Sequence, residues 1–447
     1  MLIDNQIMIY DLAWALSEAV DLVSPTLNRH HKKVAYIAEH IAQEMRLPSI
    51  ERTDILLASM LHDIGSFYTT ERLKMISFEL EGQELNRHAY IGYKLLSLFS
   101  PLSKAAVLVR DHHAIYNSEN DQVALGSHII HLADIIASIL NDKHEIFEQV
   151  PDLLERLGKR VSTYHPDVFS AFERLAKKEY FWIEALSSSP YCDRLHKAWS
   201  LGEITELAML RDFAQVIAHI IDFRSRFTAT HSNGVAAVAK KLSTVAGFSE
   251  RECELMEVAG YLHDLGKLAV PNEILEKEGS LTSTELNVIL KHTYYTYAVL
   301  SKINGMEDIA VWAAYHHERP DGSGYPFYVK GGDFSKLSRI MAVADIVTAL
   351  TEDRPYRLGM DQEEAMNVLQ SMASRGRIDK SVAEMVSNNF ASINEVRLQA
   401  QQEARKKYDA FHDQVFIAPT SHLEISPLLT CISTTSKQMV EKERALA

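Results

Sequence analysis

The chain repeats itself. Placed 201 residues apart, "MIYDLAWALSEAVDLVSPTLNRHHKKVAYIA" (Met8 to Ala38) lies without a gap over "MLRDFAQVIAHIIDFRSRFTATHSNGVAAVA" (Met209 to Ala239). Met8, Asp11, Ala13, Asp21, Ser24, His30, Val34, Ala35 and Ala38 all find identical partners. At the same offset "LHDIG" (Leu61 to Gly65) falls on "LHDLG" (Leu262 to Gly266). After a three-residue gap His88 matches His292, and His112 and His113 match His316 and His317; after seven more, "LADII" around Asp134 matches "VADIV" around Asp345. A unit this long is a domain rather than one turn of a solenoid, so the chain is expected to fold as two versions of one architecture. Its 447 residues, 47% hydrophobic, suffice for two full cores.

The boundary is expected in "SSSPYCDRLHKAWSLGE", where Ser187, Ser188, Ser189 and Pro190 break a helical pattern. This divides the chain into an N-terminal repeat over residues 1–188, a linker over 189–208, a second repeat over 209–416 and a tail over 417–447 rich in Ser, Thr and Pro. Within the repeats, "ILLASMLHDIG" carries Leu56, Leu57, Met60 and Leu61 at helical spacing before Gly65, which reads as a C-cap. "SRIMAVADIVTAL" and "HIIHLADIIASIL" are apolar almost all round, as buried helices are. Alternating strand patterns are scarce. The expected fold class is all-α, with the glycine-rich stretch "YHHERPDGSGYP" (Tyr315 to Pro326) as the main irregular feature.

A lone His-Asp pair is weak evidence, and His412-Asp413 reads as a chance one. Order and distance strengthen the others. The second repeat runs His231, His263-Asp264, His292, His316-His317, Asp345; the first runs His30, His62-Asp63, His88, His112-His113, Asp134. Asp345 and Asp134 each sit inside a nearly uninterrupted apolar helix, where an unpaired carboxylate costs several kcal/mol of desolvation. A metal bound also by imidazoles supplies the missing charge. The bland alternative for each residue alone is a cap or a hydrogen-bonded core group, which does not account for the ordered set.

These stretches resemble a known family. "HDLGK", "HHERPDGSGYP" and "VADIVTALTEDRPYR" are similar to the motifs of the HD-GYP family, a branch of the HD phosphohydrolases, over residues 209 to 412. The resemblance implies a helical, metal-dependent phosphodiesterase that hydrolyses a bacterial cyclic dinucleotide, cyclic di-GMP or cyclic GMP-AMP, to a linear dinucleotide. It implies two divalent ions, iron or manganese: one held by His231, His263, Asp264 and Asp345, the other by Asp264, His292, His316 and His317. Asp264 and Lys267 would be catalytic. Arg319, Asp321, Gly324, Tyr325, Arg354 and Arg357 would contact substrate, the arginines through phosphate or a guanine edge; their bland alternative is salt bridging with Glu352 or Asp353. Relatives with a third ion carry a Glu four residues before the first histidine, where this chain has Phe227, so two ions are expected.

The first repeat keeps all seven candidate ligands, but has Ser66 where Lys267 stands and lacks the ERPDGSGYP insertion. A regulatory or dimerising role is favoured for it, homodimer formation included, with another HD hydrolase activity as the alternative. For the whole chain, the competing readings are a noncatalytic cyclic dinucleotide sensor and a general HD nucleotide phosphohydrolase.

Composition narrows the partners. A net charge of −14 argues against polymeric nucleic acid, though not against a small phosphorylated ligand at one local site. No apolar run approaches the ~18 residues of a membrane span, and "MLIDNQIMIYDLAW" lacks a secretory basic region, so a cytoplasmic protein without membrane insertion is expected. Cys192, Cys253 and Cys431 are isolated, which leaves His and carboxylate as the metal ligands.

Overall fold

A computed structural model describes residues 7–22, 29–66, 83–118, 122–141, 143–186, 203–204, 206–224, 230–277, 279–353 and 358–417. The first repeat comprises α1 (Ile9–Asp21), α2 (His30–Glu44), α3 (Ser49–Leu61), α4 (Gln83–Leu96), α5 (Ser103–Arg110), α6 (Leu125–Ile139), α7 (Ile146–Gly158), α8 (Pro166–Leu175) and α9 (Glu179–Leu186). The second comprises α10 (Leu207–Arg224), α11 (His231–Val245), α12 (Glu250–Leu262), α13 (Asn272–Leu275), α14 (Ser283–Leu290), α15 (His292–Leu300), α16 (Glu307–Ala314), α17 (Lys336–Thr351), α18 (Gln362–Ser374) and α19 (Lys380–His412). The fold is all-α, as expected. Its one sheet among the described residues is a two-residue antiparallel pair, Ile7 opposite Ile204 and Met8 opposite Glu203. Most of the linker and residues 418–447 of the tail lie outside the described residues.

Helix ends are set locally. Ser249 and Glu252 form a reciprocal capping box that starts α12, so that its far end delivers His263 and Asp264 at a fixed point. Asp379 starts α19 by accepting from the backbone of Ser381 and Val382, and its other oxygen takes Arg339 at 2.9 Å. In each repeat the helix that opens with the first histidine is central: α2 packs on α3 and α6, and α11 on α12, α17 and α19. Val34, Ala35, Ile37, Ala38 and Ile41 of α2, and Val235, Ala236, Val238, Ala239 and Leu242 of α11, are buried.

The two repeats embrace reciprocally. α1 packs on α15 and on the 3-10 turn Leu265–Ala269 of the second repeat, while α10, its counterpart, packs on α4, the counterpart of α15. Phe99 meets Phe213 edge to face at 5.3 Å, and the Glu18 carboxylate accepts from Lys302 at 2.8 Å. Such mutual contact is what an isologous dimer makes, here formed within one chain. No helix among the described residues is long and apolar enough to cross a membrane.

Candidate metal centre

The seven marked residues of the second repeat meet in one buried cluster. His231 is the first residue of α11, His263 and Asp264 follow α12, His292 opens α15, His316 and His317 lie in a 3-10 turn after α16, and Asp345 projects from the middle of α17. All but His317 are buried. Two groups form, His231 with His263 and Asp264, and His292 with His316 and His317, each with ligand atoms within 4.8 Å of one another. Asp264 joins them. Its Oδ2 lies 3.2 Å from His263 Nε2, while its Oδ1 lies 3.4 Å from His292 Nε2 and 3.9 Å from His316 Nε2. Asp345 reaches both sides as well, at 3.1 Å from His231 Nε2 and 3.9 Å from His317 Nδ1.

This convergence needs a glycine. A Cβ on Gly266 would stand 1.9 Å from the His292 carbonyl oxygen, so the turn after Asp264 can lie against α15 only without a side chain. Thr296 locks the contact, accepting from Gly266 N at 2.9 Å and donating to the His263 carbonyl at 3.0 Å. Gly65 is placed alike, with the His88 carbonyl 2.1 Å from an added Cβ. Close approach, rather than the C-cap expected at Gly65, is therefore what these glycines provide.

The imidazoles are set up to accept a cation. Nδ1 of His263, His292 and His316 each sits 2.7 Å from the backbone carbonyl three residues earlier. A carbonyl only accepts, so Nδ1 carries the proton and Nε2 presents its lone pair inward. Nε2 of His292 and of His316 stand 3.2 Å apart, two lone pairs face to face. Protonation is no remedy: burial drives the His292 pKa down to about 3 against the pull of Asp264, and burial with His317 and His263 lowers that of His316. The donor set fits divalent first-row ions, which suit mixed imidazole and carboxylate shells.

Anions balance the other side. At His231 burial disfavours the charged ring, but Glu352 and Asp345 outweigh it and raise the pKa to about 10. At Asp264 burial is outweighed by His263 and Lys267, and the carboxyl stays well below its usual range. Lys267 Nζ lies 2.5 Å from Asp264 Oδ2, and its charge offsets that of the carboxylate. Glu352 was read from the sequence only as a surface partner for arginines. In the structure it is buried, 3.1 Å from His231 Nδ1, with Gln401 donating to it at 3.1 Å. Its place seven residues beyond Asp345, just past the end of α17, was the signal available. Asp222 was also missed as a site group; it is buried, takes the Ser232 hydroxyl at 2.9 Å, and burial lifts its pKa to about 7.

The glycine-rich loop borders the cluster. Glu318 organises it, accepting from the backbone N–H groups of Phe327, Tyr328 and Val329 at 2.6, 3.1 and 3.1 Å. Gly324 packs so close to Glu318 and Arg319 that an added Cβ would lie 2.4 Å from backbone. Tyr325 lays its ring beside His317, centroids 5.0 Å apart. Arg319 donates to Ser323 at 3.3 Å, and Asp321, exposed, accepts from Ser323 N at 2.8 Å. Arg354, Arg357 and Phe227 lie outside the described residues. His412 and Asp413 are solvent-facing at the end of α19.

The first repeat brings together its own seven. His30 Nε2 lies 3.0 Å from Asp134, His88 Nε2 3.2 Å from Asp63, and His113 Nε2 3.1 Å from His88 Nε2. His62 and His112 point Nδ1 at the carbonyls of Ser59 and Val109, at 2.8 and 2.6 Å. Ser66 is buried where the second repeat carries Lys267.

Comparison with known proteins agrees with this arrangement. The HD domain family matches residues 28–139, and a second HD domain family matches residues 215–382. The chain is 29% identical over 399 residues to 3'3'-cGAMP-specific phosphodiesterase 1 of Vibrio cholerae, covering 84% of this chain and 90% of that protein. It is 36% identical over 181 residues to the cyclic di-GMP phosphodiesterase response regulator RpfG of Xanthomonas campestris, 40% of this chain and 47% of that one. A solved cyclic GMP-AMP specific phosphodiesterase of Vibrio cholerae, V-cGAP3, shares the fold with a TM-score of 0.62 at 21% identity, over 87% of this chain and 98% of that one. Two matched HD domains, each folded around its own histidine and aspartate cluster, with the GYP loop on the second alone, establish that the chain belongs to the HD-GYP type of tandem HD-domain proteins.

Proposed function

We propose that the chain is a metal-dependent phosphodiesterase that opens the ring of a cyclic dinucleotide, cyclic di-GMP or 3',3'-cyclic GMP-AMP, to a linear dinucleotide in the cytoplasm. The observation that carries this reading is Asp264, whose two oxygens face two separate imidazole groups beside the GYP loop. The similarity to a cGAMP-specific phosphodiesterase along nearly the whole chain supports the substrate class. Two cations, iron or manganese, would be held by His231, His263, Asp264 and Asp345, and by Asp264, His292, His316 and His317. Bound there, such ions acidify water and neutralise charge on phosphoryl oxygens.

The chain's own groups orient and move protons. In the overall reaction a water oxygen bonds to phosphorus and gives up one proton, the bond from phosphorus to one ribose oxygen breaks, and that oxygen takes one proton up, so the net change is the addition of one water. Lys267, protonated because Asp264 outweighs the effect of burial, is the donor nearest the cluster. It would move from the carboxylate to a phosphoryl or leaving oxygen as the substrate binds. Tyr325, braced against His317, offers a face on which a base can stack. Incubating the manganese- or iron-loaded protein with each cyclic dinucleotide and separating products by chromatography tests the proposal. A linear dinucleotide is expected from at least one; intact substrate in every loaded sample would refute it.

A further inference from the structure

We infer that the first repeat holds a divalent cation in a donor set of its own, with His31 as an added imidazole ligand fixed by Asp21. Neither residue belongs to the seven-residue pattern that the two repeats share. His31 Nδ1 is hydrogen-bonded to Asp21 Oδ1, and both residues are buried. That bond leaves Nε2 of His31 as the lone-pair nitrogen, and a ligand atom of His31 lies within 4.8 Å of ligand atoms of both His62 and Asp63. A carboxylate behind an imidazole in front of a metal is the usual means of orienting a histidine ligand.

An independent observation points to the same ion. His62 is fully buried, and its Nδ1 is held by the Ser59 carbonyl. Its Nε2, aimed into the group, makes no hydrogen bond and lies 3.5 Å from Asp63 Oδ2 and 3.7 Å from Asp134 Oδ1. At these lengths the ring and the two carboxylates face one another without a direct hydrogen bond, as ligand atoms gathered round one cation do. The second repeat shows what the added histidine changes. At the matching positions it has Asp222 and Ser232, and the serine hydroxyl ends on Asp222 at 2.9 Å, too short to extend to His263 and Asp264 as an imidazole does. There Lys267 sits on the HD aspartate, whereas the first repeat has Ser66. The first repeat thus exchanges a fixed ammonium for another neutral ligand. Such an imidazole-rich set suits iron(II), cobalt(II), nickel(II) or zinc(II) better than magnesium or calcium. The inference does not depend on what the second repeat hydrolyses.

The test uses the full chain with the second centre disabled by His263→Ala, Asp264→Ala, His292→Ala and His316→Ala, which removes ligands from both of its imidazole groups. Cobalt(II) is titrated in, followed by its visible absorption, and counted per chain after dialysis. About one tightly held cobalt is expected, lost when His62→Ala and Asp63→Ala are added. In the same background Asp21→Asn should weaken cobalt binding roughly 10–100-fold, and His31→Ala should weaken it at least as much and alter the absorption band. Should His31→Ala fail to fold by circular dichroism, Asp21→Asn, which keeps the imidazole, carries the decision. No retained cobalt, retention that survives His62→Ala and Asp63→Ala, or unchanged affinity and spectrum in folded His31→Ala and Asp21→Asn chains would each overturn the assignment.

Discussion

Gly266→Ala isolates the geometry on which the second centre depends without touching a ligand. The new Cβ would stand 1.9 Å from the His292 carbonyl oxygen and 2.9 Å from Thr296 N, while real Cβ contacts below 3.0 Å essentially never occur. The obstacle is helix backbone, which cannot rotate away, so the turn and α15 must separate by roughly 1 Å. Overpacking of this kind costs about 1–3 kcal/mol of stability. The larger effect falls on the site: His292 is the first residue of α15, and metal ligands tolerate only about 0.2 Å of displacement. A shift of this size also costs on the order of a hundredfold in rate when it misplaces reacting groups. The assay is urea denaturation, manganese content and turnover of a cyclic dinucleotide on the same preparation. Gly158→Ala is the control, since nothing lies within 4 Å of its added Cβ. Expected for Gly266→Ala are weaker metal retention and a rate reduced about a hundredfold, with Gly158→Ala near wild type. A Gly266→Ala protein with full metal content, wild-type rate and unchanged stability would refute the close-approach argument.

Other substitutions separate orientation from scaffold. Glu352→Gln removes the charge that holds His231 Nδ1 while keeping its shape, and metal affinity at the second repeat should fall about 10–100-fold, read by competition with a chelator. Asp379→Ala should cost about 1 kcal/mol through loss of the α19 cap, measured by urea denaturation, with turnover unchanged. Its pH dependence has a definite sign: at Asp379 burial is outweighed by hydrogen bonds from Ser381 and Arg339, so the folded pKa is depressed. The cap therefore contributes fully above the unfolded value of about 4 and fades as pH falls through the folded one. The penalty of Asp379→Ala should shrink accordingly in acid.

Much of this was legible in the sequence because chemistry and duplication mark the same positions. The order His231, His263-Asp264, His292, His316-His317, Asp345 predicts a cluster, and helix ends deliver each residue to it. Partners held behind the ligands were not legible. Glu352 sits among charged residues and reads as surface until α19 is seen to cover it with Gln401. His31 adjoins His30 and is absorbed by the stronger motif, and its link to Asp21 spans ten residues across a helix boundary. Glu318 reads as one more polar loop residue, yet it gathers three backbone N–H groups. The reciprocal packing of α1 and α10 depends on how two domains meet, which no local pattern encodes.

The most direct measurement compares Asp264→Asn with Asp63→Asn for turnover of cyclic di-GMP and cyclic GMP-AMP at saturating manganese. Linear product should vanish with Asp264→Asn and persist with Asp63→Asn. Product formation that survives the loss of Asp264, or that is abolished by changing Asp63 alone, would contradict the assignment of catalysis to the second repeat.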